Sequence, residues 1–279
     1  MRDGINGDES QPEVEWPNYQ HLTVSRDGFA ATVTLNRPDV HNAFNARLIA
    51  ELHDAFSHLR ADDSLRAVVL RGEGRSFSAG ADLNWMRFSL DATHDENVAD
   101  ALRMADMYRA IDTCPHPVIG RIHGAALGGG AGLTAVCDIA IAADDTRFGF
   151  TEARLGIAPA VISPFAVRKI GESHARALFL TGERFDAARA LAIGLVHQVV
   201  PAAELDDVVQ ATLRNIGLSG PAGVRAAKRM AMTVTHISDA EARELTANTI
   251  AGLRVGAEGQ EGIRAFLEKR AASWALTDE

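Results

Sequence analysis

Two cysteines, Cys114 and Cys137, are all that 279 residues contain, and they have no partners at the spacing of a disulfide framework or a metal knuckle. The chain is therefore expected to hold its fold without covalent cross-links, in a reducing compartment, and the cytoplasm is the expected location. No run of about 18 apolar residues is present to cross a bilayer, and the basic-then-apolar opening of a secretory leader is missing too. A membrane is not an expected partner. Lysine and arginine never cluster, and the net charge is −9, a sign that repels phosphate backbones unless a local basic patch reverses the field. Nucleic acid is not an expected partner either. His41, His53, His58 and His123 show no i, i+4 pairing on a helix face, so no metal site is expected. There is no Gly-x-Ser-x-Gly elbow, which argues against a serine hydrolase.

What remains is an ordinary globular balance, 47% apolar with 23% charged, long enough for one large domain or a domain with an appendage. Residues 1 to 18 are polar, acidic and rich in glycine and proline, and are expected to form a disordered tail. Leu22 to Ser25 and Ala30 to Leu35 read as a hairpin around Asp27-Gly28. Asn45 then caps a helix whose apolar positions Leu48, Leu52, Ala55, Phe56 and Leu59 fall at helical spacing. Ala67 to Leu70 is a short all-apolar run, as a strand buried on both faces requires, and Val118 to Ile122 reads as a second buried strand. A helix from Glu96 to Asp112 separates them, and Asp138 to Ala143 follows as a third such strand. Strand, helix, strand in this order implies parallel pairing and an α/β core over residues 19–200. Beyond about residue 164 the pattern turns almost wholly helical. In the region 201–279 an apolar stripe from Leu205 to Ile216, and another at Ile263, Phe266 and Leu267, must find cover, and a partner subunit is one place to find it.

The most informative stretch is His123-Gly-Ala-Ala-Leu-Gly-Gly-Gly-Ala-Gly132. Three consecutive glycines, Gly128 to Gly130, open a small-residue helix, so a ligand can approach backbone N–H groups at a helix N-terminus, where negative charge is stabilised. Glu152 lies twenty residues on and supplies a titratable group. A second small-residue turn, Ser76-Phe-Ser-Ala-Gly-Ala-Asp82, follows the preceding buried strand. Two such turns at the ends of neighbouring parallel strands form a ligand crevice, and two converging N–H donors form an oxyanion hole. Gly130-Ala-Gly132-Leu-Thr-Ala135 matches a dinucleotide fingerprint, with Glu152 at the ribose-acid spacing. Its frame is wrong, because the next strand begins within about eight residues and ends before Glu152.

These pieces, with Asn36-Arg-Pro-Asp-Val-His-Asn-Ala-Phe-Asn45, Cys137-Asp138, Phe148-Gly-Phe-Thr-Glu152 and Leu155-Gly-Ile-Ala-Pro159, resemble the crotonase superfamily, the enoyl-CoA hydratase/isomerase fold. The resemblance runs from Tyr19 to Trp274. It implies a spiral of ββα repeats with a helical C-terminal trimerisation region, assembled as a trimer or dimer of trimers. It implies an acyl-CoA thioester as substrate, no cofactor beyond that coenzyme A moiety, and an oxyanion hole from the N–H groups of Ala81 and Gly129, with Glu152 catalytic. The implied substrate site takes in Arg37, Val40, Ala79, Gly80, Ala81, Asp82, Leu83, Gly128, Gly129 and Gly132. Phe266 and Lys269 match positions near the adenine and 3′-phosphate, although an amphipathic helix with a solvated lysine explains them equally well.

One departure stands out. Typical hydratases carry a first glutamate three residues after the oxyanion-hole glycine, and that position here is Gly132. Together with Ala158 to Phe165 and Gly256 to Arg270, this looks most like the bacterial methylglutaconyl-CoA hydratases of leucine breakdown. A distal carboxylate on that substrate wants a cation, and Arg87, Arg154 and Arg168 are the candidates. Glu152 has a structural alternative, an ion pair with Arg154 or Arg168. The rival functions are another crotonase-type reaction (isomerisation, decarboxylation or thioester hydrolysis), a non-catalytic RNA-binding role of the kind one eukaryotic relative has, and an NAD-dependent dehydrogenase.

Overall fold

A computed structural model describes residues 16–275. The hairpin forms as the sequence predicts: β1 (Leu22–Asp27) and β2 (Ala30–Leu35) pair antiparallel around Gly28. The Asn45 side chain accepts from the Leu48 N–H at 2.9 Å and starts α1 (Ala46–Ala61). All five of its apolar-stripe residues are completely buried. After β3 (Ala67–Gly72) come α2 (Leu83–Asp91), which periodicity did not reveal, and α3 (His94–Asp112). Helix α3 begins two residues earlier than predicted, because Thr93 and Glu96 close a reciprocal capping box over a polar first turn that carries no apolar signal.

The chain then repeats one unit. β4 (Val118–Ile122), β5 (Ala125–Leu127) and α4 (Gly129–Val136) are followed by β6 (Ile139–Ala143), β7 (Arg147–Gly149) and α5 (Ser163–Thr181). The first strand of each pair joins one sheet and the second joins another, which gives the expected ββα spiral. The six-stranded sheet runs β1-β2-β3-β4-β6-β9, parallel from β2 onward, with β9 at Gln198–Val200. The small sheet is β5-β7-β8, with β8 at Arg184–Asp186 leading into α6 (Ala187–Ala192). Its strands are three residues each, too short for alternation to show in the sequence.

Both faces of the large sheet are covered, and this is why β6 is apolar throughout and β3 and β4 are apolar but for the half-buried Arg71 and Arg121. On one side Val68, Leu70, Val118 and Ile122 pack into a core shared with α1, α3 and α4. On the other, Val69, Ile119 and Ile141 meet Leu205, Val209 and Leu213 of α7 (Leu205–Gly217), so that predicted stripe is buried within the chain. Three more helices follow: α8 (Pro221–Thr233), α9 (Asp239–Val255) and α10 (Ala257–Glu268). They leave Ile250, Val255, Ile263, Phe266 and Leu267 exposed. The Arg66 guanidinium ties this end back to the core. It donates to the carbonyls of Gly217 at 2.8 Å, Ser219 at 2.6 Å and Trp274 at 2.8 Å. Trp16, within the expected tail, packs against the main core, while residues 1–15 of that tail lie outside the described residues.

Candidate active site

The two glycine-bearing turns meet, as their places after adjacent strands predict. Ser78 donates its N–H to Ala125 O at 2.9 Å, and Leu127 donates to Ser78 O at 3.0 Å. Phe44 brackets the first turn: its N–H donates to Gly80 O at 2.7 Å and its carbonyl accepts from Asp82 N–H at 2.8 Å. Ala81 between them faces the open side. Gly80 has φ +96°, and a β-carbon there would stand 3.0 Å from Leu127 O, so both the dihedral and the close approach require glycine. Gly128, with φ +49° and ψ −115°, turns the chain into α4 and donates its N–H to Gly149 O at 2.8 Å. Gly129 is the first helical residue, so its N–H has no acceptor within the helix. Among the described residues neither the Ala81 nor the Gly129 N–H has a protein acceptor.

Glu152 is delivered from the other side. Phe148 and Phe150 anchor the approach by packing on Phe185 and Phe179, with ring centroids 5.9 and 5.1 Å apart. Glu152 then opens a 3₁₀ turn, Glu152–Leu155. Its Oε2 is buried and unpartnered. Burial raises its pKa above the ordinary carboxylate value. The structural alternative for this residue fails: Arg168 pairs with Asp112, and the Arg154 stem lies against Gly182. No ion pair to Glu152 occurs among the described residues.

A cavity of about 560 Å³ opens over these groups, within the usual range for a small-molecule site. It gathers Ala79, Gly80, Ala81, Leu83, Gly128, Gly129 and Glu152 of the predicted set. Its apolar wall, from Phe44, Trp85, Met86, Met104, Val161 and Ile162, went unpredicted because apolar residues in the sequence read simply as core. A larger cavity of about 850 Å³, between the end of α3 and helices α8 and α9, is lined by Arg225, Lys228 and Arg229 but by no carboxylate.

Several predicted residues lie elsewhere. Arg37 is a structural cation: it pairs with Asp82 at 2.7 Å and donates to Ala43 O, so neither Arg37 nor Asp82 lines the cavity. Burial would raise the Asp82 pKa, but hydrogen bonds from Arg37 and the Asn84 amide outweigh it and hold the carboxyl below its usual range. Val40 is exposed on a short 3₁₀ turn away from the cavity. Gly132 is buried: a β-carbon there would meet Ile162 Cγ2 at 2.5 Å and Tyr108 Oη at 2.9 Å. The position of the missing glutamate is therefore filled by two other side chains. Phe266 is 83% exposed, and it and Lys269 lie at the far end of the chain, outside the cavity lining. None of Arg87, Arg154 and Arg168 lines the cavity. Gly130 and Gly132, the apparent dinucleotide fingerprint, are buried inside α4, with Gly130 against the Ser78 carbonyl, leaving no room for a pyrophosphate.

Successive strands that alternate between a large, mostly parallel sheet and a small second one, with two free amides and one desolvated carboxylate lining an apolar cavity, have the architecture of the crotonase fold. The enoyl-CoA hydratase/isomerase family model matches residues 27–276, and the chain belongs to that family. It is similar to the enoyl-CoA hydratase of Shewanella pealeana, with 37% identity, TM-score 0.88, and coverage of 91% of this chain and 96% of that one. The enoyl-CoA hydratase of Mycobacterium smegmatis is 34% identical at TM-score 0.88, covering 92% and 100%. AtuE of Pseudomonas aeruginosa is 35% identical at TM-score 0.90, also covering 92% and 100%.

Proposed function

We propose that the protein adds water to the double bond of a 2-enoyl-CoA thioester with Glu152 as its single catalytic carboxylate. The observation that carries this reading is the buried, unpartnered Glu152 Oε2 facing the Ala81 and Gly129 amides across an apolar cavity. The Glu152 carboxylate takes a proton from water as the water oxygen bonds to the β-carbon. The displaced π-electrons move through the α-carbon onto the thioester oxygen, where the two N–H groups and the positive end of α4 stabilise the charge. The enolate then collapses and the α-carbon takes a proton back from the Glu152 carboxyl, so one group serves as base and then acid. A carboxyl whose pKa is raised toward the working pH suits both tasks. The substrate brings coenzyme A with it, and no further cofactor enters the scheme.

The family's trimer or dimer of trimers would cover the exposed face of α9 and α10 and bring Phe266 and Lys269 to a neighbour's coenzyme A; both are part of this proposal, as is a cytoplasmic location. The acyl group best supported by the cavity wall is apolar. Methylglutaconyl-CoA remains the more specific reading. It rests on the Ala158 to Phe165 segment and on glycine at position 132, and it lacks a lining cation for its distal carboxylate. Following loss of enoyl-thioester ultraviolet absorbance with crotonyl-, 3-methylcrotonyl- and 3-methylglutaconyl-CoA separates the two. Turnover of the first pair alone fixes an apolar acyl group, and preference for the third fixes the dicarboxylic one. Loss of absorbance that comes with free-thiol release, or with a 3-enoyl product in place of a 3-hydroxyacyl one, would replace hydration by another reaction of this superfamily.

A further inference from the structure

We infer that Tyr108 is a positioning residue that sets the oxyanion-hole amide of Gly129; this rests on the hydratase reading above. Three glycines in a row leave the backbone at residues 128–130 many alternatives, whereas an oxyanion hole works only if its donors are fixed before charge develops. Something outside the glycines must therefore hold them. Tyr108 does so from α3. It is fully buried, and its hydroxyl donates to Gly129 O at 2.8 Å. Its ring meets Phe44 edge-on, with centroids 6.3 Å apart, and packs tilted against Phe165 at 5.8 Å. The Gly129 Cα is pinned between Phe44 and Tyr108: a β-carbon there would lie 2.3 Å from Phe44 Cε2 and 3.1 Å from Tyr108 Oη.

The same hydroxyl stands 2.9 Å from where a Gly132 β-carbon would be. Tyr108 thus occupies the place from which a second carboxylate would reach the substrate, and it contributes there a neutral donor aimed at the backbone. Its burial and the nearby Glu152 charge keep the phenol protonated, so it remains a donor. Tyr108 does not line the cavity and so acts through Gly129.

The test is Tyr108→Phe, which deletes the hydroxyl and keeps the ring. Expected is a 10- to 100-fold fall in kcat with KM changed less than threefold, since a small displacement of a catalytic group carries that penalty. A second readout uses dimethylaminocinnamoyl-CoA, whose absorption moves to the red as its carbonyl is polarised; binding to the wild type should produce the shift and binding to Tyr108→Phe should largely abolish it. Retention of both kcat and the red shift in the variant overturns the inference while leaving the hydratase reading intact. Failure of the wild type to hydrate any enoyl thioester would instead remove the reading on which it rests. A variant that loses the fold by circular dichroism is replaced by Phe165→Leu, which loosens the Tyr108 ring without touching the hydroxyl's acceptor and should reduce the red shift in the same direction; an unchanged shift counts against the inference.

Discussion

The Glu152 carboxylate lies against the backbone of Gly128, so close that a β-carbon on Gly128 would stand 3.2 Å from Oε1. Base and amide cradle are thus neighbours across a gap that only a glycine leaves open. Replacing Glu152 by Gln keeps the shape and removes the proton carrier. We expect kcat to fall by about 10²–10⁴ with circular dichroism unchanged, the usual contribution of general acid–base catalysis. Near-full hydratase activity would take the proton-transfer role away from Glu152.

The same substitution has a stability signature with a defined sign. The carboxyl pKa is raised in the folded state by burial, above an unfolded value of about 4.3. Below the unfolded pKa both states are protonated and the charge has no effect. As pH rises toward the folded pKa, the unfolded chain ionises first and the wild type loses stability. Glutamine does not titrate. The melting temperature of Glu152→Gln relative to wild type should therefore climb from acidic to neutral pH, and a flat difference across that window would show that the carboxyl is well solvated. Wild-type kcat/KM should fall on acidification with an apparent pKa above the ordinary glutamate range.

Restoring the family's first glutamate should fail. At position 132 even a methyl group meets Ile162 and Tyr108, and overpacking of this kind costs about 1–3 kcal/mol. Gly132→Ala should lower the melting temperature, and Gly132→Glu should lower it further and reduce hydration. A Gly132→Glu enzyme faster than wild type would mean that the two side chains yield freely.

Arg37→Ala should act on folding and leave the chemistry alone. The pair with Asp82 is buried, and breaking a buried pair costs about 3–5 kcal/mol because the remaining charge is uncompensated. Asp82 has its pKa held down, so the stability it contributes is present above its unfolded pKa, about 3.9, and is lost as pH falls through the folded one. Denaturant titrations at pH 7 and near pH 3 should show the difference between wild type and variant shrinking at the lower pH. An unchanged midpoint at pH 7, with weakened coenzyme A binding, would return Arg37 to the substrate site.

The exposed apolar residues on α9 and α10 lead to an assembly prediction. Sedimentation of the intact chain should give a trimer or hexamer, since Val255, Phe266 and Leu267 are each more than 70% exposed in the isolated subunit. Lys269→Ala should weaken acyl-CoA binding by about 0.5–2 kcal/mol if it meets a phosphate. A fully active monomer would contradict both.

Much of this architecture is legible in the sequence, and the exceptions have physical reasons. The hairpin, α1 and the buried strands carry strong periodicity or turn chemistry, and the two small-residue turns betray the cradle before any geometry is known. What stays hidden is cooperative. Arg37 reads as a ligand-facing cation until Asp82, 45 residues on, is seen beside it. The role of Tyr108 is invisible because one tyrosine on a helix carries no pattern, and only packing brings its hydroxyl to Gly129, 21 residues away. The apolar cavity wall has the composition of any core; concavity is not encoded at one position.

The clasp that Arg66 makes on the Trp274 carbonyl joins residues 208 positions apart. During synthesis the first of these leaves the ribosome long before the second exists, so every residue of the catalytic cavity is already translated while the arginine still waits for that acceptor. Closing so long a loop adds little equilibrium penalty, since the entropy grows only with the logarithm of length, but contacts of this span form late. The clasp is thus a late contact of the fold, and until Trp274 is in reach the Arg66 guanidinium has only the nearer carbonyls of Gly217 and Ser219 to hold it.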